Sequence, residues 1–333
     1  MLPVTRRKRR LTERALALCI APLAVAAIVL GLVAGSSRSP RRPTATCVDP
    51  GPSLTSLSHF ERAVGGNVHC VVVFDQAPTW AAWQAPWFAT NRIADENWVA
   101  FARHPGNRLI ITLAMFPSEL ADSGWRAAGA AGAYATHART LAGNLVRAGM
   151  SHAVIRLGHE ANGTWYADNV GDTATQQQQW KRFWRRTAMA MGSVPGAHFS
   201  FDWCVAAGYR PIAFANYYPG DDVVDSIGID IYDRVPPGHT RRWSYLYDEP
   251  GGVGALVRFA TAHHKPLAVP EWGLEPRGYH AGAGPDPGFT RGIAALVAHH
   301  QVAFQGYFFR SEEAAALLAD RDSLAIYRRR LLR

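Results

Sequence analysis

Short apolar runs alternate along the chain with longer stretches that carry apolar residues at three- and four-residue intervals. The short runs are rich in Val, Ile, Leu and Phe, which is typical of strands buried on both faces of a parallel sheet. The longer stretches are typical of amphipathic helices. Strands are predicted at 45–49, 69–74, 108–114, 153–158, 198–203, 225–230, 267–271 and 303–309. Helices are predicted at 53–64, 91–103, 130–148, 174–191, 251–264 and 286–300.

The order of these elements indicates an α/β fold. Strands that alternate with helices form parallel sheets with helical crossovers. Eight such strands favour a (β/α)8 TIM barrel over a doubly wound sheet, although the first strand has only a weak pattern. The carboxyl ends of the strands share one face of such a barrel, and catalytic side chains are expected there.

The N-terminal part of the chain has a different character from the rest. Residues 15–34 are almost entirely apolar, and about 20 such residues suffice to cross a bilayer as a helix. The basic cluster Arg6–Arg10 predicts that the N-terminus stays in the cytoplasm, so that the remainder lies outside the cell. A signal peptide cleaved near Val33–Ser36 is the alternative, and it would release a secreted protein.

These features divide the chain into five parts. They are a basic cytoplasmic tail at 1–14, a transmembrane signal anchor at 15–34, a linker at 35–46, a (β/α)8 catalytic domain at 47–320 and a basic C-terminal tail at 321–333. The linker is rich in Ser, Arg, Pro and Thr. Arg328–Arg330 in the C-terminal tail are expected to form a solvated helix end.

The net charge of +9 is concentrated in the N-terminal part of the chain. Residues 1–42 hold nine Lys and Arg against one Glu, which leaves a charge of only +1 on residues 43–333. A domain that binds nucleic acid through its phosphates carries a marked basic surface. The predicted globular part is nearly neutral, so nucleic acid is excluded as its expected partner.

The four cysteines leave the disulfide pattern open. Cys19 lies in the apolar run, and export would allow a bond among the other three. Cys47 and Cys70 flank the first predicted helix and are the best candidate pair, although buried free thiols are also common. No spacing of Cys and His indicates a zinc site.

Two glutamates follow predicted strands. Glu160 comes after the run 153–157, and Glu271 ends the run 267–271. Glycoside cleavage needs two carboxyl groups, one to protonate the leaving oxygen and one to stay ionised. No nucleophile elbow, phosphate-binding glycine loop or HExxH helix suggests another reaction.

Three segments around these residues resemble glycoside hydrolase family 26, which is best known for β-mannanases. They are Arg156–Trp165, Tyr218–Tyr232 and Pro266–Gly273, and their order agrees with the family over roughly 45–310. The resemblance implies a retaining glycosidase with Glu160 as the general acid/base and Glu271 as the nucleophile.

The resemblance also implies roles for further side chains. His159 is expected to bind a sugar hydroxyl or to adjust the acid, Trp165 to stack on a sugar ring, and Tyr232 to hydrogen-bond the nucleophile. Phe309 stands where the family has a tryptophan at the end of the eighth strand. The full set of predicted substrate-binding residues is His159, Trp165, Tyr232, Arg156, Asn162, Trp203, Trp272 and Phe309.

The sequence therefore predicts a membrane-anchored, extracellular, monomeric glycosidase that cleaves a β-linked polysaccharide, with an endo-β-1,4-mannanase as the expectation. Neither a metal nor an organic cofactor is expected. Two alternatives remain open. One is the same chemistry on a β-glucan, a xylan or a cell-envelope polysaccharide, and the other is a barrel that binds carbohydrate without cleaving it.

Overall fold

The eight predicted strands form a closed parallel barrel in a computed structural model of the chain. The structure describes residues 43–90, 94–121, 124–210, 212–236, 238–278 and 284–332. The strands are β1 (Ala45–Asp49), β2 (Cys70–Asp75), β3 (Arg108–Leu113), β4 (Val154–Leu157), β5 (Ser200–Ala206), β6 (Ser226–Tyr232), β7 (Leu267–Gly273) and β8 (Val302–Phe308). They are joined in sequence order, and β8 pairs with β1 to close the barrel.

Helices connect the strands on the outside of the barrel. They are α1 (Leu54–Val64), α2 (Trp80–Gln84), α3 (Trp98–Arg103), α4 (Trp125–Ala131), α5 (Ala135–Arg147), α6 (Ala174–Gly192), α7 (Phe214–Tyr217), α8 (Arg242–Asp248), α9 (Val253–Ala262), α10 (Pro287–His299), α11 (Ser311–Ala319) and α12 (Arg321–Ile326). Short 3-10 helices lie at Trp87–Ala89, Ala94–Glu96 and Ser118–Leu120, and a π-helix follows α12 at Tyr327–Leu331.

Two predicted helices are divided in the structure. The helix predicted at 130–148 is interrupted by Gly132, whose φ of +95° ends α4 in the left-handed conformation that favours glycine. The stretch predicted at 91–103 is helical only from 94, and the side chain of Asn97 accepts a hydrogen bond from the backbone of Ala100 to start α3. Residues 91–93 lie outside the described part of the chain.

The barrel interior contains an apolar cluster. This cluster consists of seven buried side chains, which are Cys47, Cys70, Val72, Ile110, Val154, Ala268 and Phe304. A disulfide joins Cys47 to Cys70 and so links β1 to β2, which resolves the pairing that the sequence left open. Cys204 is a buried free thiol.

A bulge in β7 gives Glu271 its direction. Side chains of a regular strand alternate between its two faces. From Gly228 to Asp230, β6 advances by two residues while the paired part of β7 advances by three, from Ala268 to Glu271. Pro270, which has no N–H to donate, lies within this irregular step. The extra residue returns the Glu271 side chain to the interior face.

Both ends of the barrel domain extend beyond the predicted boundaries. Thr44 donates from its hydroxyl to the Val302 carbonyl over 2.8 Å, and β1 begins inside the predicted linker. The predicted C-terminal tail packs against the barrel, because Tyr327 and Leu331 are buried. Arg328 donates a hydrogen bond to the Ala63 carbonyl. The packed part of the chain therefore continues beyond the boundary predicted at residue 320.

None of the helices within the described ranges is both long enough and apolar enough to cross a bilayer. The predicted membrane segment at 15–34 and the tail at 1–14 lie outside those ranges.

Candidate active site

Acidic and aromatic side chains converge where the strands end at the carboxyl face of the barrel. Asp49 and Asp75 end β1 and β2, and Glu160 follows β4. Asp230 lies near the end of β6, and Glu271 lies in β7. One carboxylate oxygen from each of Glu160, Asp230 and Glu271 lies within 4.8 Å of the other two. The barrel therefore brings the two predicted catalytic glutamates together.

The backbone that carries Glu160 is unusual. Glu160 has a φ of +50°, a conformation that costs a non-glycine residue about 1–3 kcal/mol and that concentrates at functional sites. Gly158 before it has a φ of +56°, and a Cβ there would lie only 2.8 Å from Cγ of Met115. The Glu160 carbonyl accepts a hydrogen bond from the Gly163 N–H over 2.7 Å. This tight turn lifts the Glu160 side chain over the barrel mouth.

Asn162 holds this turn in place and does not face the cleft. Its side-chain amide donates to the carbonyls of Ala206 and Tyr209, and its side-chain oxygen accepts the Ala206 N–H. Only 2% of Asn162 is exposed. Asn162, which was predicted to bind substrate, therefore uses its polar atoms to tie the loop after β4 to the end of β5.

Glu160 has a mixed environment. The indole N–H of Trp165 donates to Oε2 of Glu160 over 2.7 Å, and the exposed Trp165 ring meets Tyr209 edge-on at 4.3 Å. Burial, followed by the nearby negative charge of Glu271, raises the pKa of Glu160 to about 7. A carboxyl group with such a pKa keeps a substantial protonated fraction near neutral pH.

Glu271 is surrounded by donors. Tyr232 donates its hydroxyl to Oε1 over 2.5 Å, and Arg156 donates from Nη1 to Oε2 over 3.2 Å. Arg156 is fully buried beneath the pair and also hydrogen-bonds Thr112 and Asp230. Tyr232 and Arg156 therefore fix the orientation of the Glu271 carboxylate.

The two glutamates lie where two cavities meet. One cavity of about 850 Å³ is bounded by the ends of β1, β2 and β8, and the other of about 680 Å³ by the loops after β4, β5 and β6. Glu271, Tyr166 and Phe308 line both cavities, whereas Glu160 and Trp165 line only the second. An extended ligand can therefore pass over Glu271 with a part on either side.

Three predicted substrate-binding aromatics point away from this cleft. Trp203 is buried against the rings of Tyr217 and Phe259 outside β5, and Trp272 donates its indole N–H to Gln305. Phe309 packs on Phe60 of α1 with ring centroids 4.9 Å apart.

Strand alternation explains the placement of all three side chains. Interior and exterior positions alternate along a strand, and these three residues occupy the exterior ones. Phe308 occupies the interior position at the end of β8, with its ring 5.9 Å from the Tyr232 ring.

His159 lies behind the cleft wall. It is 5% exposed, and its ring lies 4.5 Å from the Tyr166 ring and 5.6 Å from the Phe74 ring. Neither ring nitrogen has a hydrogen-bond partner among the described residues. Burial, together with the charge of Arg156, holds the pKa of His159 well below its usual value. The imidazole is therefore neutral at physiological pH.

Several cleft residues were missed by the sequence interpretation. Asp75 ends β2, lines the larger cavity and is 5% exposed, and its Oδ2 has no partner among the described residues. Burial raises the pKa of Asp75 to about 7. Glu313, in the first turn of α11, lines the smaller cavity. Asp75 carries the same strand-end signal as Glu271, whereas nothing in the sequence around Glu313 marks it.

Comparisons with known proteins agree with the resemblance. Residues 140–244 match the family model described as glycosyl hydrolase family 26, which confirms the similarity inferred from the motifs. This range includes Glu160 and Tyr232 and ends before Glu271. None of the curated proteins matches the chain.

Solved structures with a similar fold include several mannanases. An endo-β-1,4-mannanase double mutant from Cellulomonas fimi is 18% identical, with a TM-score of 0.60 over 85% of this chain and 70% of that one. A β-mannanase from Bacteroides ovatus is 14% identical, with a TM-score of 0.56 over 86% and 88% of the two chains.

A third such structure is a β-mannanase from a symbiotic protist of the termite Reticulitermes speratus, complexed with a gluco-manno-oligosaccharide. It is 16% identical, with a TM-score of 0.53 over 87% of this chain and 86% of that one. At these identities the likeness establishes the barrel fold.

Proposed function

We propose that this chain is a retaining glycoside hydrolase of the family 26 type that cleaves a β-linked polysaccharide. The observation that carries the proposal is the pair Glu160 and Glu271, whose carboxylate oxygens approach within 4.8 Å in unlike surroundings. Retaining glycosidases place their two carboxyl groups about 5–5.5 Å apart, whereas inverting enzymes separate them by about 6.5–9.5 Å to admit a water. The spacing here favours retention.

The first step uses both glutamates at once. Protonated Glu160 gives its proton to the glycosidic oxygen, while a carboxylate oxygen of Glu271 attacks the anomeric carbon. The bond to the leaving group breaks with its electron pair on the protonated oxygen. Arg156 and Tyr232 hydrogen-bond Glu271 and hold it aligned for attack.

The second step reverses the roles. Glu160, now ionised, takes a proton from water, and the resulting oxygen nucleophile displaces Glu271 from the anomeric carbon. Trp165 donates to Oε2 of Glu160, which leaves Oε1 for the substrate or the water. The sugar is released with its original anomeric configuration.

The cleft supports endo cleavage of a long chain. The sugar that leaves with the protonated oxygen must lie on the Glu160 side, in the cavity of about 680 Å³. The sugar that bonds to Glu271 lies toward the cavity of about 850 Å³. Since both cavities are open to solvent, a polysaccharide can extend beyond the cleavage point in each direction.

A mannan is the substrate that the comparisons favour. The similar structures include β-mannanases, one of them in complex with a gluco-manno-oligosaccharide. The smaller cavity is lined by five carboxyl groups and one guanidinium, so an acidic polysaccharide would be repelled. The carboxyl groups are those of Glu160, Asp230, Glu249, Glu271 and Glu313, and the guanidinium is that of Arg234.

We also propose that the enzyme works outside the cell, held by residues 15–34 as a membrane anchor. The basic cluster before this apolar run supports that orientation. The Cys47–Cys70 disulfide supports export as well, because such bonds persist mainly in oxidising compartments.

The test is release of reducing ends by residues 43–333, which contain every described element. The panel holds mannan, glucomannan, mixed-linkage β-glucan, xylan and purified envelope polymers, with Glu271→Gln as the inactive variant. We expect activity on mannan or glucomannan that is lost in this variant. Binding of one polymer equally by both proteins, with no cleavage, would instead identify a carbohydrate-binding barrel.

A further inference from the structure

A groove lies on the side of the barrel away from the catalytic cleft. It has a volume of about 780 Å³ and is bounded by α10, by the π-helix and by Pro43 and Thr44. Thr44 and Gln301 in its lining directly precede β1 and β8, so the groove reaches the amino-terminal face of the barrel. The cleft opens at the opposite, carboxyl-terminal face.

The groove combines an apolar floor with a cationic rim. Ala294, Val297 and Leu331 are among the apolar side chains of its lining, and Arg291, Arg329 and Arg330 are its three arginines. None of the described residues that line it is an Asp or a Glu. This is an unusual concentration of positive charge for residues 43–333, whose charge is only +1 in total.

The three arginines are exposed. Among the residues that the structure describes, none of the guanidiniums of Arg291, Arg329 and Arg330 makes an ion pair or a hydrogen bond. Arg328 differs, because it donates to the Ala63 carbonyl and so serves the fold. Basic residues in the last turn of a helix are common, but Arg291 lies in the first half of α10.

We propose that this cationic groove docks on a membrane surface that contains anionic phospholipid. Arginines at the rim meet the lipid phosphates, and the apolar floor receives the upper part of an acyl chain or a glycerol backbone. The catalytic cleft opens at the other face of the barrel, so docking through the groove leaves the cleft directed away from the lipid. The proposal does not depend on the hydrolase activity.

The position at which the described chain starts favours lipid as the occupant. Only eight residues, 35–42, separate the apolar run 15–34 from Pro43 in the groove lining. Eight extended residues span less than about 30 Å. If the apolar run lies in a bilayer, headgroups are therefore the nearest large anionic surface to this groove.

The experiment measures sedimentation of residues 43–333 with vesicles of phosphatidylcholine alone or mixed with phosphatidylglycerol. We expect binding only to the mixed vesicles, with an affinity that falls as salt rises. Arg291→Gln, Arg329→Gln and Arg330→Gln together should weaken binding about 100-fold, and Arg330→Glu alone should weaken it measurably. These exposed side chains are not part of the cleft, so hydrolysis of a soluble substrate should stay unchanged.

A matched control removes the same charge elsewhere. Arg139, Arg182 and Arg258 are exposed on α5, α6 and α9, and their joint replacement by Gln should leave vesicle binding intact. The proposal would be overturned if the two triple variants lost vesicle binding equally, or if the unmodified protein did not bind the mixed vesicles. Inorganic phosphate is also added at a concentration equal to that of the lipid phosphate. If it displaces the protein from the vesicles, the proposal is overturned, because the groove would then be a pocket for a free anion.

Discussion

Glu160 and Glu271 have the same side chain, and their different neighbours assign them different tasks. Burial and the charge of Glu271 raise the pKa of Glu160 to about 7. Glu271 instead receives hydrogen bonds from Tyr232 and Arg156. Two carboxyl groups with unlike surroundings therefore lie within 4.8 Å of each other, which is the arrangement that the proposed double displacement uses.

The hydrogen bond from Trp165 to Glu160 should be visible in the pH profile. An N–H that donates to a carboxylate favours the ionised form, so this bond lowers the pKa of Glu160. Trp165→Phe keeps a ring and removes the donor, and the pKa of Glu160 should rise. Glu160 must be protonated to start the reaction, so the basic limb of kcat/KM should move to higher pH. A limb that stays in place, or moves down, would contradict this role.

Asp75 should contribute to binding more than to chemistry. Its carboxyl group is buried beside the larger cavity with an unpartnered oxygen, so a sugar hydroxyl there can supply the missing hydrogen bond. Asp75→Asn should raise KM about tenfold and change kcat little. Asp322→Asn, the same change at an exposed site on α12, should alter neither constant. Loss of kcat with an unchanged KM in Asp75→Asn would argue against a binding role.

At the scale of elements, the order and number of strands could be predicted because buried parallel strands are continuous apolar runs. The same property hides which residues face inward. Tyr307, Phe308 and Phe309 are all aromatic, so no polar residue marks the alternation. The pattern therefore located β8 and gave no sign of which phenylalanine enters the cleft. The β7 bulge at Pro270 is likewise a feature of strand pairing, which one strand's sequence does not reveal.

The alternation in β8 gives a paired prediction. Phe308→Ala should raise KM and cost little stability, because Phe308 is only partly buried and lines both cavities. Phe309→Ala should destabilise the fold by about 3–5 kcal/mol, because its ring is buried against α1. Denaturant unfolding and steady-state kinetics on both variants measure the contrast. If Phe308→Ala destabilised the fold and Phe309→Ala raised KM, the strand would have to be shifted by one residue.

At the scale of the whole molecule, the barrel could be predicted from the sequence, whereas its cross-link and its C-terminal boundary could not. Cysteine spacing alone cannot report whether Cys47 and Cys70 are adjacent, since adjacency depends on how β1 pairs with β2. The basic residues 328–330 resemble a solvated tail, yet Tyr327 and Leu331 on either side of them are buried. Burial of those two residues is a property of the assembled barrel.

The Cys47–Cys70 bond should contribute measurably to barrel stability. It closes a loop with a sequence separation of 23, which constrains the unfolded chain. The double variant Cys47→Ala, Cys70→Ala should therefore have a free energy of unfolding that is lower by about 3 kcal/mol and a Tm that is lower by about 10 °C. Cys204→Ala removes a buried sulfur outside the bond and should cost less. Reductant should destabilise the unmodified protein and not the double variant, and equal sensitivity of the two would contradict this contribution.

The central claim is that Glu271 forms a covalent bond to the sugar, and trapping that bond tests it most directly. An activated 2-deoxy-2-fluoro glycoside of the sugar identified by the panel should slow the second step and let the intermediate accumulate. Intact-protein mass spectrometry should then show one added fluorosugar, and peptide mapping should place it on Glu271. The Glu271→Gln variant should stay unlabelled. A label on another carboxylate, or none while the substrate is still hydrolysed, would contradict the assignment of Glu271 as nucleophile.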